Sequence, residues 1–302
     1  MKKVGVLVVT YNQKKITLGW IEKFKKTFHD QSNLHVLILD NNSNDGTLQA
    51  VRNQYPDVDI RLLNDNYGCT TGRNIGIVEL INMGCEYICT LDNDCFIENK
   101  DFFRNMIAAF NANQEVDGYG AIVVRAHDRS IDTMGSRRTW YGIRRAVKVP
   151  TKNTKVDYLP GGACIIKATT YIKYGLFDND YPPVGGQDHA WGIRVTNHGA
   201  NLHFNPNQEV IHDHPGHKTS HTEKDIYIIH GKAMFLKKNP SLIQLLLEIR
   251  DSRHYIAQYG WLFLFKHYYY GFRKQIHKKN YEYNTFITSG LTKYYIRDDR
   301  KP

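Results

Sequence analysis

The residues best suited to chemistry are two aspartates, Asp92 and Asp94, set just past the apolar run 87–91. Such a run reads as a buried strand that delivers carboxylates to the carboxyl edge of an open α/β sheet, where these sheets hold ligands. One aspartate there can bind Mg²⁺ or Mn²⁺ through oxygen while the other reaches a ribose or a second ligand. Together they outline a metal–diphosphate site, although Asp pairs are common in turns and the weight of this one depends on its company. Asp188 follows Gly185-Gly186-Gln187 at the start of a predicted helix, a position that suits either an N-cap or a proton acceptor. His212, His214 and His217 cluster around a Pro-Gly turn. An imidazole among them suits the same cation; a zinc site is a second reading, with no cysteine nearby to support it, and a solvated His-rich loop is a third.

The elements that must position these groups follow from periodicity. Val4-Gly-Val-Leu-Val-Val9 and 35–39 are near-continuous apolar runs, as expected of strands buried on both faces. Each stops at turn formers, Thr10-Tyr11-Asn12 and Asp40-Asn41-Asn42-Ser43-Asn44-Asp45-Gly46-Thr47. Helical spacing marks 14–28, 47–53, 101–111 and 168–174, with strands at 60–63, 87–91, 120–125 and 163–166. Residues 64–74, with Gly68 and Gly72, read as a Gly-rich loop ahead of a helix over 75–83. Alternation of this kind implies a mostly parallel sheet with right-handed crossovers. The stretch 126–157 is basic, lacks a period and reads as a long loop or hairpin. Beyond about 219 the texture becomes helical and rich in Lys, Tyr and Phe, with helices over 222–238, 242–259 and 261–279.

At 302 residues and 41% hydrophobic, the chain can bury one substantial core with length left for an appendage. A catalytic domain over 1–217 and a helical, basic and aromatic extension over 218–302 are expected. Forty Lys and Arg against thirty Asp and Glu give +10, which favours an anionic partner without choosing among nucleotide sugar, membrane surface and nucleic acid. The apolar N-terminal run is too short for a signal segment and reads as a strand. No apolar stretch reaches the ~18 residues of a membrane span. Five cysteines without a C-x-x-C pair fit burial in a cytoplasmic protein.

Val8-Val-Thr-Tyr-Asn12, Asp40-Asn-Asn-Ser43-x-Asp45-Gly-Thr47, Asn66-x-Gly68…Arg73-Asn74-x-Gly76, Leu91-Asp-Asn-Asp94 and Gly186-Gln-Asp188 occur in that order. The set resembles the motifs of family-2 nucleotide-sugar glycosyltransferases with the GT-A fold, nearest their rhamnosyltransferase-like branch, over roughly residues 4–240. The resemblance implies an α/β GT-A sheet flanked by helices and a nucleoside-diphosphate sugar donor. It places Thr10, Tyr11, Asn12, Asp40, Asn42, Gly68, Arg73, Asp92 and Asn93 on the donor side. It implies a divalent metal, Mn²⁺ or Mg²⁺, on Asp94 and His212. It makes Asp188 the base that accepts a proton from an acceptor hydroxyl, with inversion at the anomeric carbon, and sets Gln187 and Trp191 beside the acceptor. Gln187 stands where the family more usually has Glu.

The expected acceptor is a glycan or lipid-linked saccharide. The charge and the arginines of 125–145 leave room for a hydroxymethylated base in DNA, and a non-catalytic nucleotide- or carbohydrate-binding module is the reading from another class. The aromatic and basic segment 255–274 reads as an interfacial helix at a membrane, as a grip on oligosaccharide or nucleic acid, or as a helix packed on the core.

Overall fold

A computed structural model of the chain describes residues 2–138, 144–146, 152–182, 186–213, 221–238, 240, 242–273 and 290–295. The first half alternates as β1 (Val4–Thr10), α1 (Lys14–Phe28), β2 (Leu34–Asp40), α2 (Thr47–Gln54), β3 (Asp59–Leu62), α3 (Gly68–Asn82), β4 (Tyr87–Asp92), β5 (Cys95–Phe96) and α4 (Phe102–Ala112). There follow β6 (Gly118–Arg125), β7 (Ile131–Thr133), β8 (Ser136–Arg138), β9 (Arg144–Ala146), β10 (Thr154–Val156), β11 (Ala163–Lys167), α5 (Ala168–Tyr174), α6 (Gln187–Asn197) and β12 (Leu202–His212). The remainder is helical: α7 (His221–Lys238), α8 (Leu242–Asp251), α9 (Arg253–Tyr259), α10 (Trp261–Arg273) and a 3₁₀ turn, Leu291–Tyr294.

The main sheet runs β10-β12-β6-β11-β4-β1-β2-β3. Strands β3, β2, β1 and β4 are parallel, as are β6 and β12, while β11 runs antiparallel between β4 and β6. The strand order reverses at β1, which lies between β2 and β4, so the carboxyl ends of these three strands frame the crevice where an open sheet takes a ligand. Register fixes its floor: Thr10 pairs with Asp40, and Val9 with Asp92.

Alternation along the strands divides the core. Val4, Val6 and Val8 face α1 and α4 with Trp20, Phe103 and Phe110, whereas Leu7, Leu37 and Leu39 face α3, α5 and α6 with Ile75, Tyr171 and Trp191. The segment expected to be a loop before residue 75 is helical from Gly68. Its glycines serve packing, because a Cβ at Gly76 would lie 2.2 Å from a methyl of Leu7 and one at Gly72 would lie 3.0 Å from Val9. The stretch 126–157 contributes strands, among them the β8–β9 hairpin.

The helix expected over 242–259 is interrupted at Ser252, and Gly260, at a φ of 82°, separates α9 from α10. Residues 274–279 and the boundary near 217 lie outside the described residues. Met234 and Phe235 of α7 pack with Tyr181 and with Ile193 of α6. At the far edge, Asn64 N–H donates to Tyr294 O at 2.8 Å. Among the described residues no helix is long and apolar enough to cross a membrane.

Candidate active site

The loops after β1 and β2 are joined by side-chain caps. Asn12 N–H donates to Ser43 Oγ at 2.8 Å, Asn44 N–H to Asn12 Oδ1 at 2.8 Å, and Lys14 N–H to Asp45 Oδ2 at 2.9 Å. Asn12 and Asn42 sit at positive φ, 50° and 67°, which asparagine tolerates better than most residues. Tyr11 is exposed on the rim. Asp40 is fully buried; its Oδ1 accepts Ser43 N–H at 2.8 Å, and its Oδ2 has no hydrogen-bond partner among the described residues. Burial pushes its carboxyl above the ordinary value against the hydrogen bonds from Ser43.

Two of the residues expected on the donor side bond within the fold. The Thr10 hydroxyl is buried against that of Thr17 at 2.7 Å, and the buried Asn93 amide donates to Gln13 Oε1 at 2.7 Å and to Thr10 at 3.3 Å. These side chains tie the ends of β1 and β4 to the start of α1.

Past β4 the two aspartates part. Asp92 is held by a short hydrogen bond from Arg73, a buried residue of α3. Burial alone would lower the guanidinium's pKa, but the surrounding groups, Asp92 and Asp188 among them, more than reverse this and keep it charged. Asp94 is carried toward β12 because β5 pairs with that strand, placing Cys95 opposite His212, and Asp213 N–H donates to Asp94 O at 2.8 Å. His212 Nε2 therefore stands 3.5 Å from Asp94 Oδ1, while its Nδ1 meets Asp132 Oδ2 at 2.7 Å.

One ligand atom each from Asp94, Cys95 and His212 lies within 4.8 Å of the others. Carboxylate oxygen and imidazole nitrogen suit Mn²⁺ or Mg²⁺; Cys95 fits such an ion poorly, since burial raises its thiol well above the ordinary range. Asp132, which orients the imidazole as outer carboxylates do in metal sites, gave no signal in the sequence, being one acid in an aperiodic basic stretch. His214 and His217 lie outside the described residues.

Asp188 lies in the first turn of α6, beside the Gly161-Gly162 turn. Its Oδ2 is 3.3 Å from both Gly161 N and Tyr158 Oη, and its Oδ1 accepts His189 N–H at 2.8 Å. The His189 ring stacks on Tyr158 with centroids 3.6 Å apart. Burial pushes the Asp188 carboxyl up, yet hydrogen bonding and charge from His189 and the charge of Arg73 together hold it well below the usual range. The two glycines bring the backbone against these carboxylates: a Cβ on Gly162 would lie 2.2 Å from Asp92 Oδ2, and one on Gly161 3.2 Å from Asp188 Cβ.

Asp92, Arg73, Gln187 and Asp188 line one cavity of about 630 Å³. Its opposite side is formed by Ile228, Gly231, Lys232 and Phe235 of α7, which sequence reasoning did not associate with the site. Trp191, expected beside the acceptor, lies in the core: it is buried against Tyr171 and Phe177, with Nε1 donating to Gly175 O at 2.9 Å.

A mostly parallel sheet with its reversal at β1, and carboxylates gathered at the ends of β4 and the start of α6, make up the architecture of the GT-A fold. The chain belongs to glycosyl transferase family 2, whose sequence profile matches residues 5–175. Among solved structures it resembles GalNAc-T7 crystallised with UDP, GalNAc and Mn²⁺, at TM-score 0.60 and 14% identity over 80% of this chain and 52% of that one. The chain thus spans about half the length of that protein. It also resembles residues 1–349 of TarS from S. aureus at TM-score 0.55 and 14% identity, covering 80% of this chain and 76% of that one. The complex of the same fragment with UDP-GlcNAc gives TM-score 0.57 and 14% identity, over 80% and 68% of the two chains. No curated protein matches the chain in sequence.

Proposed function

We propose that the protein moves a sugar from a nucleoside-diphosphate sugar to a hydroxyl of a glycan or lipid-linked saccharide, with inversion and with a divalent cation. The observation that carries this reading is the placement of Asp92 and Asp188 in the lining of one cavity, with Arg73 of α3 hydrogen-bonded to Asp92. Asp40 Oδ2 accepts a hydrogen bond from the nucleotide base or ribose, and Arg73 orients Asp92 and balances charge beside the sugar phosphates. Asp94 and His212 would hold the cation, which neutralises the charge of the departing nucleoside diphosphate. Asp188 accepts the acceptor's proton. Because its negative charge is so well stabilised, it is a weak base toward a free alcohol, so the proton passes to it only as the attacking oxygen bonds to the anomeric carbon.

The UDP, UDP-GlcNAc and Mn²⁺ named for the structural neighbours support a nucleotide-sugar donor and a metal, and the motif wording supports the rhamnosyltransferase-like branch. A saccharide acceptor is favoured over DNA because Arg125 and Arg129 of the basic stretch are engaged by Asp132 and by Glu98 and Glu209. Five thiols without a disulfide suit a reducing cytoplasm.

Replacing Asp188 with Asn tests the assignment. Transfer is expected to fall on the order of 10²–10⁴-fold, with donor affinity in Mn²⁺ unchanged by calorimetry. Transfer at the wild-type rate would remove Asp188 as the base.

A further inference from the structure

Helix α10 presents a surface apart from the residues that line the cavity. Helix α10 is anchored by one face: Leu264 and Tyr268 are buried with Ile229 and Ala233 of α7, and Gly271 lies against the same helix, where a Cβ would come within 2.6 Å of Ala233. The other face carries Trp261, Leu262, Phe265, Tyr269 and Phe272, which are 52%, 87%, 62%, 58% and 40% exposed. At 3.6 residues per turn these five fall within an arc of roughly 100°. Lys266 and Arg273 border that arc. Helix α8 repeats the pattern with exposed Leu242, Ile243 and Leu246 beside exposed Arg250. Large apolar side chains gathered this way on a water-facing surface mark an interaction site.

Charge identifies the partner. Residues 221–302 hold fifteen Lys and Arg against seven Asp and Glu, while residues 1–220 hold twenty-five against twenty-three. Nearly all of the +10 therefore belongs to the segment that bears the apolar faces. A second copy would bring like charge against like. Nucleic acid would pair with the cations and stack on the rings, but it offers nothing to Leu242, Ile243, Leu246 and Leu262, which have no π-face. Hydrocarbon beneath a layer of anionic headgroups satisfies all of them, with Trp and Tyr at the interface and Lys and Arg among the phosphates.

We propose that α10, aided by α8, docks the protein on the surface of an anionic lipid bilayer. The inference goes beyond the transferase reading and does not depend on it. The full chain is sedimented with phosphatidylcholine vesicles and with vesicles containing phosphatidylglycerol, at low and physiological salt, alongside Leu262→Glu/Phe265→Glu. Wild type is expected to pellet with the anionic vesicles, less so at higher salt, and not with neutral ones. The double variant is expected to lose at least tenfold in partitioning while its thermal midpoint and donor affinity stay at wild-type values, as substitutions on an exposed face require.

Three results overturn the proposal: no vesicle binding by wild type, equal binding by the double variant, or a large fall in the variant's thermal midpoint, which would mean that the face is covered within the chain. Dissociation of a wild-type dimer by the same substitutions, without vesicle binding, would assign the face to self-association. Duplex DNA binding that the glutamates abolish, again without vesicle binding, would assign it to nucleic acid.

Discussion

At the scale of single residues, the site is governed by what surrounds its carboxylates. His189 supplies Asp188 with hydrogen bonding and charge, and with Arg73 it holds the carboxyl below its ordinary value. A group whose pKa is lowered by folding favours the ionised native state; its contribution to stability is present above the ordinary carboxylate value of 3.8 and is lost as pH falls through the lower folded value. The acid limb of kcat/KM set by this group should thus lie below the usual carboxylate range, and His189→Ala should move it upward. An unmoved limb in the pH profile would show that the ring does not tune the base. Asp132 is a second case, since its 2.7 Å contact with His212 Nδ1 fixes which imidazole nitrogen faces Asp94. Asp132→Asn is expected to weaken Mn²⁺ binding about 10–100-fold, the usual effect of removing such an outer partner, as read by calorimetry on the free enzyme. Unaltered affinity would leave Asp132 as a partner of Arg125 alone.

Elements place these residues, and here the sequence was most legible where period and turn chemistry agree. The strands ending at Thr10, Asp40 and Asp92, and the helices over 14–28 and 168–174, could be read because continuous apolar runs stop at Asn, Asp and Ser. The start of α3 could not. Gly68 and Gly72 carry the signature of a loop, and only the proximity of Val9 across the sheet shows that Gly72 lets a helix lie close. Trp191, Thr10 and Asn93 have side chains that turn into the fold, and position within a motif gives no direction to a side chain.

Gly192 makes the same point inside α6. A Cβ there would lie 2.6 Å from Asp157 O and 3.0 Å from Tyr158 Cα, backbone atoms that cannot swing aside. Gly192→Ala should cost about 1–3 kcal/mol as overpacking and should lower transfer more than donor affinity, since Asp188 and Tyr158 lie on the two surfaces forced apart. A thermal melt and a kinetic assay check the two halves separately.

At the scale of the whole molecule, α7 joins the cavity to the extension. Lys238, at its end, donates a short hydrogen bond to Asp178 and bonds Asp180 Oδ2 at 2.8 Å, and the aspartate side chains are only 7% and 2% exposed. These aspartates lie in the turn after α5 that leads to Tyr181, so one cation fastens α7, and with it the wall formed by Ile228, Lys232 and Phe235, over the carboxylates of the sheet edge. Lys238→Met keeps much of the stem's packing and removes the charge. Two nearly buried carboxylates then lose the charge that Lys238 supplies, and breaking a buried ion pair by removing one member costs about 3–5 kcal/mol in comparable sites. The expected result is a lower denaturation midpoint together with a raised KM for the acceptor, while donor binding, which the proposed reading assigns to Asp40, Arg73 and the cation ligands, is retained. If the acceptor KM is unchanged although stability falls, α7 is a structural brace and the acceptor is recognised elsewhere. If instead α7 melts in a separate early transition that leaves turnover intact, the cavity does not require its far wall.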